Sequence, residues 1–381
     1  MATASPSSMT ETPSTLAALE SAKAAIETAF ISDEATALQT LIDNFPIDQG
    51  ERSRIETLAA AIVAQSRAAK QEQGSLDAFL AEFGLSNQEG VALMCLAEAL
   101  LRVPDGETRD DLIAEKILSG DWGAHKGRSE SMFVNASTWA LMLTGRVIEL
   151  DRDITKSSTA WLGKLVSRSG EPVIRAAITQ AMKIMGRQFV FGRNIKDALA
   201  RQKKEDASTR TMSFDMLGEG ARTQSAADRY QKLYLAAIAA VGSAEASTPG
   251  DIHDKSSVSI KLSALHPRYD ERRRARVLRE LTPRLLELAE AAKAHDIQMT
   301  IDAEEADRLE LQLDLLAALA SAPSLAGWNG LGLAVQAYQK RAPFVIDWLI
   351  ALGRRTGRVI PVRLVKGAYW DTEVKNSQVM G

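Results

Sequence analysis

Near the end of the chain, Arg363-Leu-Val-Lys-Gly-Ala-Tyr-Trp-Asp371 places an arginine, a lysine, a glycine turn and two aromatic rings within eight residues. The segment continues an apolar run that reads as a strand, and the carboxyl end of a strand is where a parallel α/β sheet presents its ligand site. Other β-like runs contain or end near one polar group each: Asp215, Lys261, Asp302 and Gln336. In a barrel such strand ends converge on one mouth, where catalytic residues sit. Lys261 interrupts the otherwise uncharged run Val258-Ser-Ile-Lys-Leu-Ser-Ala264. An inward charge there would be costly without a partner, which favours a functional role over a snorkelling surface lysine.

The elements that must hold these residues follow from hydrophobic periodicity. Five short β-like runs appear after Arg210: Thr211 to Leu217, Val258 to Ala264, Gln298 to Ala303, Leu331 to Ala337 and Val359 to Val365. Helical patterns separate them, carried by Tyr230 to Val241, Leu285 to Ala292, Leu309 to Leu319 and Phe344 to Leu352. Strands alternating with helices imply parallel βα units, in a doubly wound sheet or a β/α barrel. A dinucleotide-binding sheet would ask for Gly-x-Gly-x-x-Gly after its first strand, and Leu217-Gly-Glu-Gly-Ala-Arg222 supplies only Gly-x-Gly. The barrel is the preferred fold.

Upstream, from about Leu16 to Gln202, the pattern is helical throughout. Ser86-Asn-Gln-Glu89 reads as a capping box and Thr108-Arg-Asp-Asp111 as a second helix start closed by Gly120. Pro172 stands near the start of a helix whose stripe is Ile174, Ile178, Met185 and Phe189. The basic segment Arg201 to Arg210 has interleaved acids and no aromatics, which suits a solvated helix end or linker better than a nucleic-acid patch. The expected organisation is a disordered Ser/Thr/Pro tail over 1–15, a helical arm or dimerisation region over 16–207, and a β/α barrel over 208–381.

Composition narrows the function classes. A chain of 381 residues, 45% hydrophobic and 25% charged, can bury a sizeable core, and its net charge of −3 gives no sequence-wide attraction to phosphate backbones. The single cysteine, Cys95, lies in an apolar helical run and reads as a buried small hydrophobe in a reducing compartment. His125, His253, His266 and His295 lack ligand spacing, so no metal is expected. No leader opens the chain, and no apolar run reaches the roughly 20 residues of a membrane span. A cytoplasmic protein, at most peripheral at the inner face of the membrane, is expected.

Four motifs in the same order then carry a resemblance: Ser259-Ile-Lys-Leu-Ser-Ala-Leu-His-Pro-Arg-Tyr269, Ile301-Asp-Ala-Glu-Glu305, Val335-Gln-Ala-Tyr338 and Val362-Arg-Leu-Val-Lys-Gly-Ala-Tyr-Trp370. They resemble the proline dehydrogenase domain of the proline utilization A family of bacterial bifunctional flavoenzymes. Leu85 to Leu101 is similar to the segment preceding that barrel. The resemblance implies FAD-dependent oxidation of L-proline to Δ1-pyrroline-5-carboxylate, with electrons passed to membrane quinone. Lys261 would bind the proline carboxylate. Asp302 would hold that lysine charged, with a helix N-cap as its bland role. Arg363 resembles the arginine that approaches flavin N5, against the alternative of a structural ion pair with Asp302. Gln336 resembles the glutamine bonded to the flavin pyrimidine edge; Val365, Lys366, Gly367 and Ala368 resemble the turn whose backbone approaches the flavin. Tyr369 resembles a ring lining the proline pocket and Trp370 one packed near the cofactor, with ordinary core packing as the rival for both.

Three departures from the family pattern shape the remaining expectations. The N-terminus does not resemble the ribbon-helix-helix domain that some members carry, so no specific DNA binding is expected. The family barrel has eight strands, and five are recognised here. Asp215 resembles an acid that pairs with an arginine of the last helix, beyond Gly381, and is expected to stand unpaired. The NAD-dependent second dehydrogenase of the family is not recognised either. The chain is therefore read as part of a longer bifunctional, homo-oligomeric enzyme. The alternatives are an incomplete fragment acting only in assembly or dimerisation and, less favoured, a barrel enzyme for a phosphorylated substrate.

Overall fold

Apolar residues that recur every second position, then every third or fourth, give this chain its alternation of buried strands and one-sided helices. The computed structural model describes residues 13–72, 190–204 and 211–380. The expected helices around Ser86, Thr108 and Pro172, and Cys95, lie outside the described residues. The chain divides into two compact units, Met1–Phe45 with Gly192–Gly381, and Pro46–Phe191. Within the second, the described part is essentially one helix, α3 (Gln49–Glu72).

The first unit begins with α1 (Pro13–Phe30) and α2 (Glu34–Asp43), and resumes with α4 (Ile195–Lys204). The βα succession follows: β1 (Ser213–Asp215), α5 (Gln224–Glu245), β2 (Ser257–Ile260), α6 (Arg274–Ala294), β3 (Met299–Ile301), α7 (Leu309–Ala320), β4 (Leu331–Gln336), α8 (Ala342–Thr356), β5 (Val362–Val365) and α9 (Trp370–Met380). All strand pairs are parallel and the sheet order is β1-β2-β3-β4-β5. A doubly wound sheet reverses its order at a switch point, whereas a barrel adds each strand beside the last. This sheet never reverses, so it is a partial barrel of the TIM type.

Local chemistry sets the boundaries. Thr223 caps α5 by accepting the N–H of Ala226, and α5 buries Ala227, Tyr234, Ile238 and Val241 on one stripe. At the end of α8, Gly357 takes a left-handed φ of 65°, a conformation that costs glycine nothing. The inner strands β2, β3 and β4 are buried at every position, the pattern of a parallel sheet covered on both faces. In β5, with one neighbour, positions alternate between exposed and half-buried.

β1, β3 and β5 are each shorter than the run expected of them, and two further differences have a visible local cause. The apolar run Val258 to Ala264 is strand only to Ile260, and Leu262–Ala264 form a 3-10 turn. Lys261 ends the strand because its N–H is donated to the Tyr234 hydroxyl at 3.0 Å, outside the sheet ladder. Helix α6 begins eleven residues ahead of the apolar stretch at Leu285, at Arg274, and contains Pro283. The polar, arginine-rich start hides the helical period, and Val277 and Leu281 are its buried positions there.

Helix α1 belongs to the barrel unit and packs along α8. Leu19 and Ile26 enter the common core. Around them Lys23 pairs with Asp314 at 2.6 Å, Lys340 donates to the Ser32 carbonyl at 2.6 Å, and the Arg341 guanidinium lies 4.4 Å from the Phe30 ring centroid. Among the described residues no helix is long and apolar enough to cross a membrane.

Candidate active site

The carboxyl ends of β1, β2 and β3, together with Arg363 from within β5, deliver their polar groups to one cluster. Lys261, directly after β2, donates from Nζ to Asp215 Oδ1 at 2.6 Å and to Asp302 Oδ2 at 2.9 Å. Asp302, directly after β3, gives its other oxygen to Arg363 Nη2. Arg363 Nη1 donates to Ser259 Oγ at 2.8 Å and to Ser213 Oγ at 3.2 Å. One carboxylate therefore bridges two cations, and two hydroxyls from adjacent strands orient the guanidinium from below. Asp302 itself is fixed on both sides: its N–H donates to Ile260 O at 2.9 Å and its carbonyl accepts from Gln312 Nε2 at 2.8 Å.

Burial alone would lower the Lys261 ammonium, but the hydrogen bonds and charges of Asp215 and Asp302 outweigh it and hold its pKa above the ordinary lysine value. The lysine is thus a fixed positive charge at the mouth, suited to an anionic ligand group. A few residues away, Glu304 is buried and accepts from Ser263 N at 3.2 Å and Ser263 Oγ at 2.9 Å, with Arg308 beside it at 3.1 Å. Burial pushes its carboxyl above the usual glutamate value despite the lowering by Ser263 and Arg308.

The second half of the mouth is the turn after β5. Main-chain bonds from Ala337 N to Val365 O, 2.8 Å, and from Tyr338 N to Lys366 O, 3.1 Å, tie it to β4. Gly367 has φ of 120°, and a Cβ there would come within 2.2 Å of the Tyr338 ring and 3.0 Å of Gln336 Oε1. Only glycine fits. Gln336 donates from Nε2 to the Glu304 carbonyl at 2.7 Å, whereas its buried Oε1 has no hydrogen-bond partner. The Lys366 ammonium sits 4.4 Å from the ring centroid of Trp370. Tyr369 donates to Glu219 Oε2 at 3.3 Å, and burial, then the nearby acids, raise its phenol above the ordinary value.

The structure thus brings Asp215, Lys261, Asp302 and Arg363 into one network, and gathers Gln336 with the turn Val365, Lys366, Gly367 and Ala368. Tyr369 and Trp370 stand apart from the charged network: Trp370 is 42% exposed and caps Lys366, so core packing describes neither its place nor its contact. The expectation that Asp215 is unpaired is corrected, because the ammonium of Lys261 has several donors and reaches both carboxylates. Asp302 does not cap the following 3-10 turn; Glu305 occupies that position without a side-chain bond. Ser213, Ser259, Ser263, Glu304, Tyr338 and Glu373 were not singled out from the sequence. Ser259 stands in register with Asp215, a pairing that only the sheet reveals.

A flavin fits what these residues offer. The buried Gln336 oxygen lacks a donor, the Gly367 turn presents backbone where a side chain is excluded, and Arg363 supplies positive charge. Among the described residues no group of His, Cys, Asp and Glu could hold a metal ion.

A parallel barrel segment with a cation–carboxylate network at its strand ends defines the class of β/α-barrel enzymes whose site lies at the barrel mouth. Comparison with known proteins narrows the class. Residues 198–381 match the family described as proline dehydrogenase, and residues 75–189 match the family described as the DNA-binding domain of proline dehydrogenase. The bifunctional protein PutA of Klebsiella aerogenes is 48% identical over 351 residues, covering 91% of this chain and 26% of the relative. That of Escherichia coli K12 is 47% identical over 356 residues, covering 93% and 27%. A crystal structure of a Bradyrhizobium japonicum proline utilization A variant superposes with a TM-score of 0.62 at 46% identity, covering 92% of this chain and 34% of that one. The chain belongs to the PutA proline dehydrogenase family and spans about a quarter of the length of the curated relatives it matches.

The second match corrects one expectation. Absence of a DNA-binding region was inferred from net charge and from the lack of a ribbon-helix-helix start, but the match falls on residues 75–189. A whole-chain charge of −3 averages over the molecule and is blind to how charge is arranged within one segment.

Proposed function

We propose that this chain supports FAD-dependent oxidation of L-proline to Δ1-pyrroline-5-carboxylate, as part of a bifunctional enzyme that passes the electrons to membrane quinone. The observation that carries this reading is the bridge from Lys261 through Asp302 to Arg363. When bound, FAD supplies the acceptor for a hydride leaving proline C5. A proton passes from the amine nitrogen to solvent as the C=N bond forms. Lys261, held cationic by Asp215 and Asp302, binds the substrate carboxylate. Asp302 fixes the spacing of Lys261 and Arg363. Arg363 places a positive charge at the flavin, Gln336 and the turn 365–368 hold the ring system, and Tyr369 and Trp370 flank the site. The proposed organisation has a tail ahead of α1, which begins at Pro13 and so shortens the expected 1–15, then a helical arm up to 207 used in homo-oligomer formation, and the barrel over 208–381. The proposed location is the cytoplasm, peripheral to the membrane.

The test is the visible spectrum of the purified chain after addition of FAD. A flavin spectrum that proline bleaches anaerobically is expected. Lys261→Ala should raise the proline concentration needed by about 10- to 100-fold, the loss of one charge-assisted contact, while FAD content is kept. A colourless protein inert to proline would overturn the reading and leave the assembly module in its place.

A second reading, DNA binding by residues 75–189, is favoured by the family match alone. Competitor-resistant retardation of duplex DNA at physiological salt is its expected mark, and retardation that vanishes as salt rises would reject it.

A further inference from the structure

Helix α9 follows directly on the turn that carries Gly367 and starts at Trp370, so whatever anchors its first turn also anchors the second half of the mouth. That anchor is one half-buried carboxylate, Glu373. Its Oε1 accepts the N–H of Ala306 at 2.6 Å, in the 3-10 turn after β3. Its Oε2 accepts the phenol of Tyr338, directly beyond β4. Ala306 is held on its other side as well, its carbonyl accepting from Arg341 Nη2. Tyr338 in turn lies on Gly367, so closely that no side chain fits at that position. Burial, and then the bond to Glu373, raise the phenol above its ordinary pKa, so it remains a donor to the carboxylate.

We propose that Glu373 is a positioning residue for the Gly367 turn. It closes the loop after β5 onto the loops after β3 and β4, and through the Tyr338 ring it holds residues 365–368 in one geometry beside Gln336. The carboxylate ties the turn from the loop side, through one main-chain and one side-chain partner. A glutamine at this position can accept from Ala306 with its oxygen and donate to the Tyr338 oxygen with its nitrogen, whereas an alanine can do neither. The assignment of this turn to a cofactor rests on the proposed function; its positioning by Glu373 does not.

Amide hydrogen exchange on the full 381-residue chain, with FAD titration as a second arm, separates the two. In Glu373→Ala the amides of residues 366–369 are expected to exchange at least about tenfold faster, with those of β3 unchanged, because opening becomes local. Tyr338→Phe should show the same local acceleration to a lesser degree, and Glu373→Gln should remain close to the parent. FAD affinity should fall in the same order, by about tenfold for Glu373→Ala. Unchanged exchange at residues 366–369 in both Glu373→Ala and Tyr338→Phe would overturn the proposal. So would equal acceleration throughout the barrel unit, which marks general destabilisation. Local acceleration in a chain whose parent takes up no FAD would support the positioning role and refute the cofactor reading.

Discussion

The two ends of the parallel sheet satisfy their buried polar groups by different means. At the carboxyl ends, side chains satisfy one another: Lys261 bridges Asp215 and Asp302, and Asp302 shares Arg363. At the amino ends two cations, Arg358 and Lys293, are held instead by main-chain carbonyls. Arg358, leading into β5, donates to the carbonyls of Ala320 at 2.7 Å, Trp328 at 2.9 Å and Ala322 at 3.3 Å, and also to Leu325. Lys293 likewise gives its ammonium to the carbonyls of Ser324 at 2.7 Å and Ala326 at 3.0 Å. These carbonyls are placed by the fold and are already taken up by the two cations. A side-chain carboxylate can exchange its partner for a ligand, so charge at the mouth is available for chemistry whereas charge at the far end is committed to structure.

The strongest way to break this contrast is Asp302→Ala. It leaves two partly buried cations without their shared counter-charge, and a loss of about 3–5 kcal/mol in urea denaturation is expected together with loss of proline binding. A loss below about 1 kcal/mol would mean that the network is solvent-screened and the mouth is no different from an exposed surface. Arg358→Ala should cost about 1.5–3 kcal/mol by the same measurement, since charge-assisted bonds to carbonyls are lost. Affinity for FAD and proline should stay at the parental value, and a change in either would show that the far end is coupled to the mouth. The smallest effect concerns Glu304. Its native pKa lies above 4.5, so between 4.5 and the raised value the folded chain holds a proton that the unfolded chain has lost. Stability therefore falls as pH rises through that window. In Glu304→Gln the fall should disappear from a urea series between pH 4.5 and 7, and a retained slope would assign it to another group.

The contrast also explains how much was legible in the sequence. All five strands and the helices between them follow from apolar periodicity, because burial on two faces or one leaves its mark residue by residue. The network residues Lys261, Asp302 and Arg363 were legible as lone charges in apolar runs. Their partners were not, because Ser213 and Ser259 are ordinary residues in a strand and acquire a role only when β1, β2 and β5 curl around one guanidinium. Glu373 reads as a first-turn acid of a surface helix, and its two bonds to loops 35 and 67 residues away leave no local trace. Likewise Arg358 looks like a solvated helix end, since its partners are carbonyls and any sequence supplies those.

Helix α1 carries a consequence for how the chain is made. Lys23 meets Asp314 across 291 positions, and Ser32 meets Lys340 across 308. A ribosome adding roughly 5–20 residues per second releases α1 on the order of 15–60 s before the surface of α8 that it covers. Helix α1 therefore waits with Leu19 and Ile26 unshielded until the residues of α8 have been synthesised, and closure of so long a loop places its docking late in folding. Nascent chains halted before Ala342 should consequently be held by chaperones through their N-terminal end.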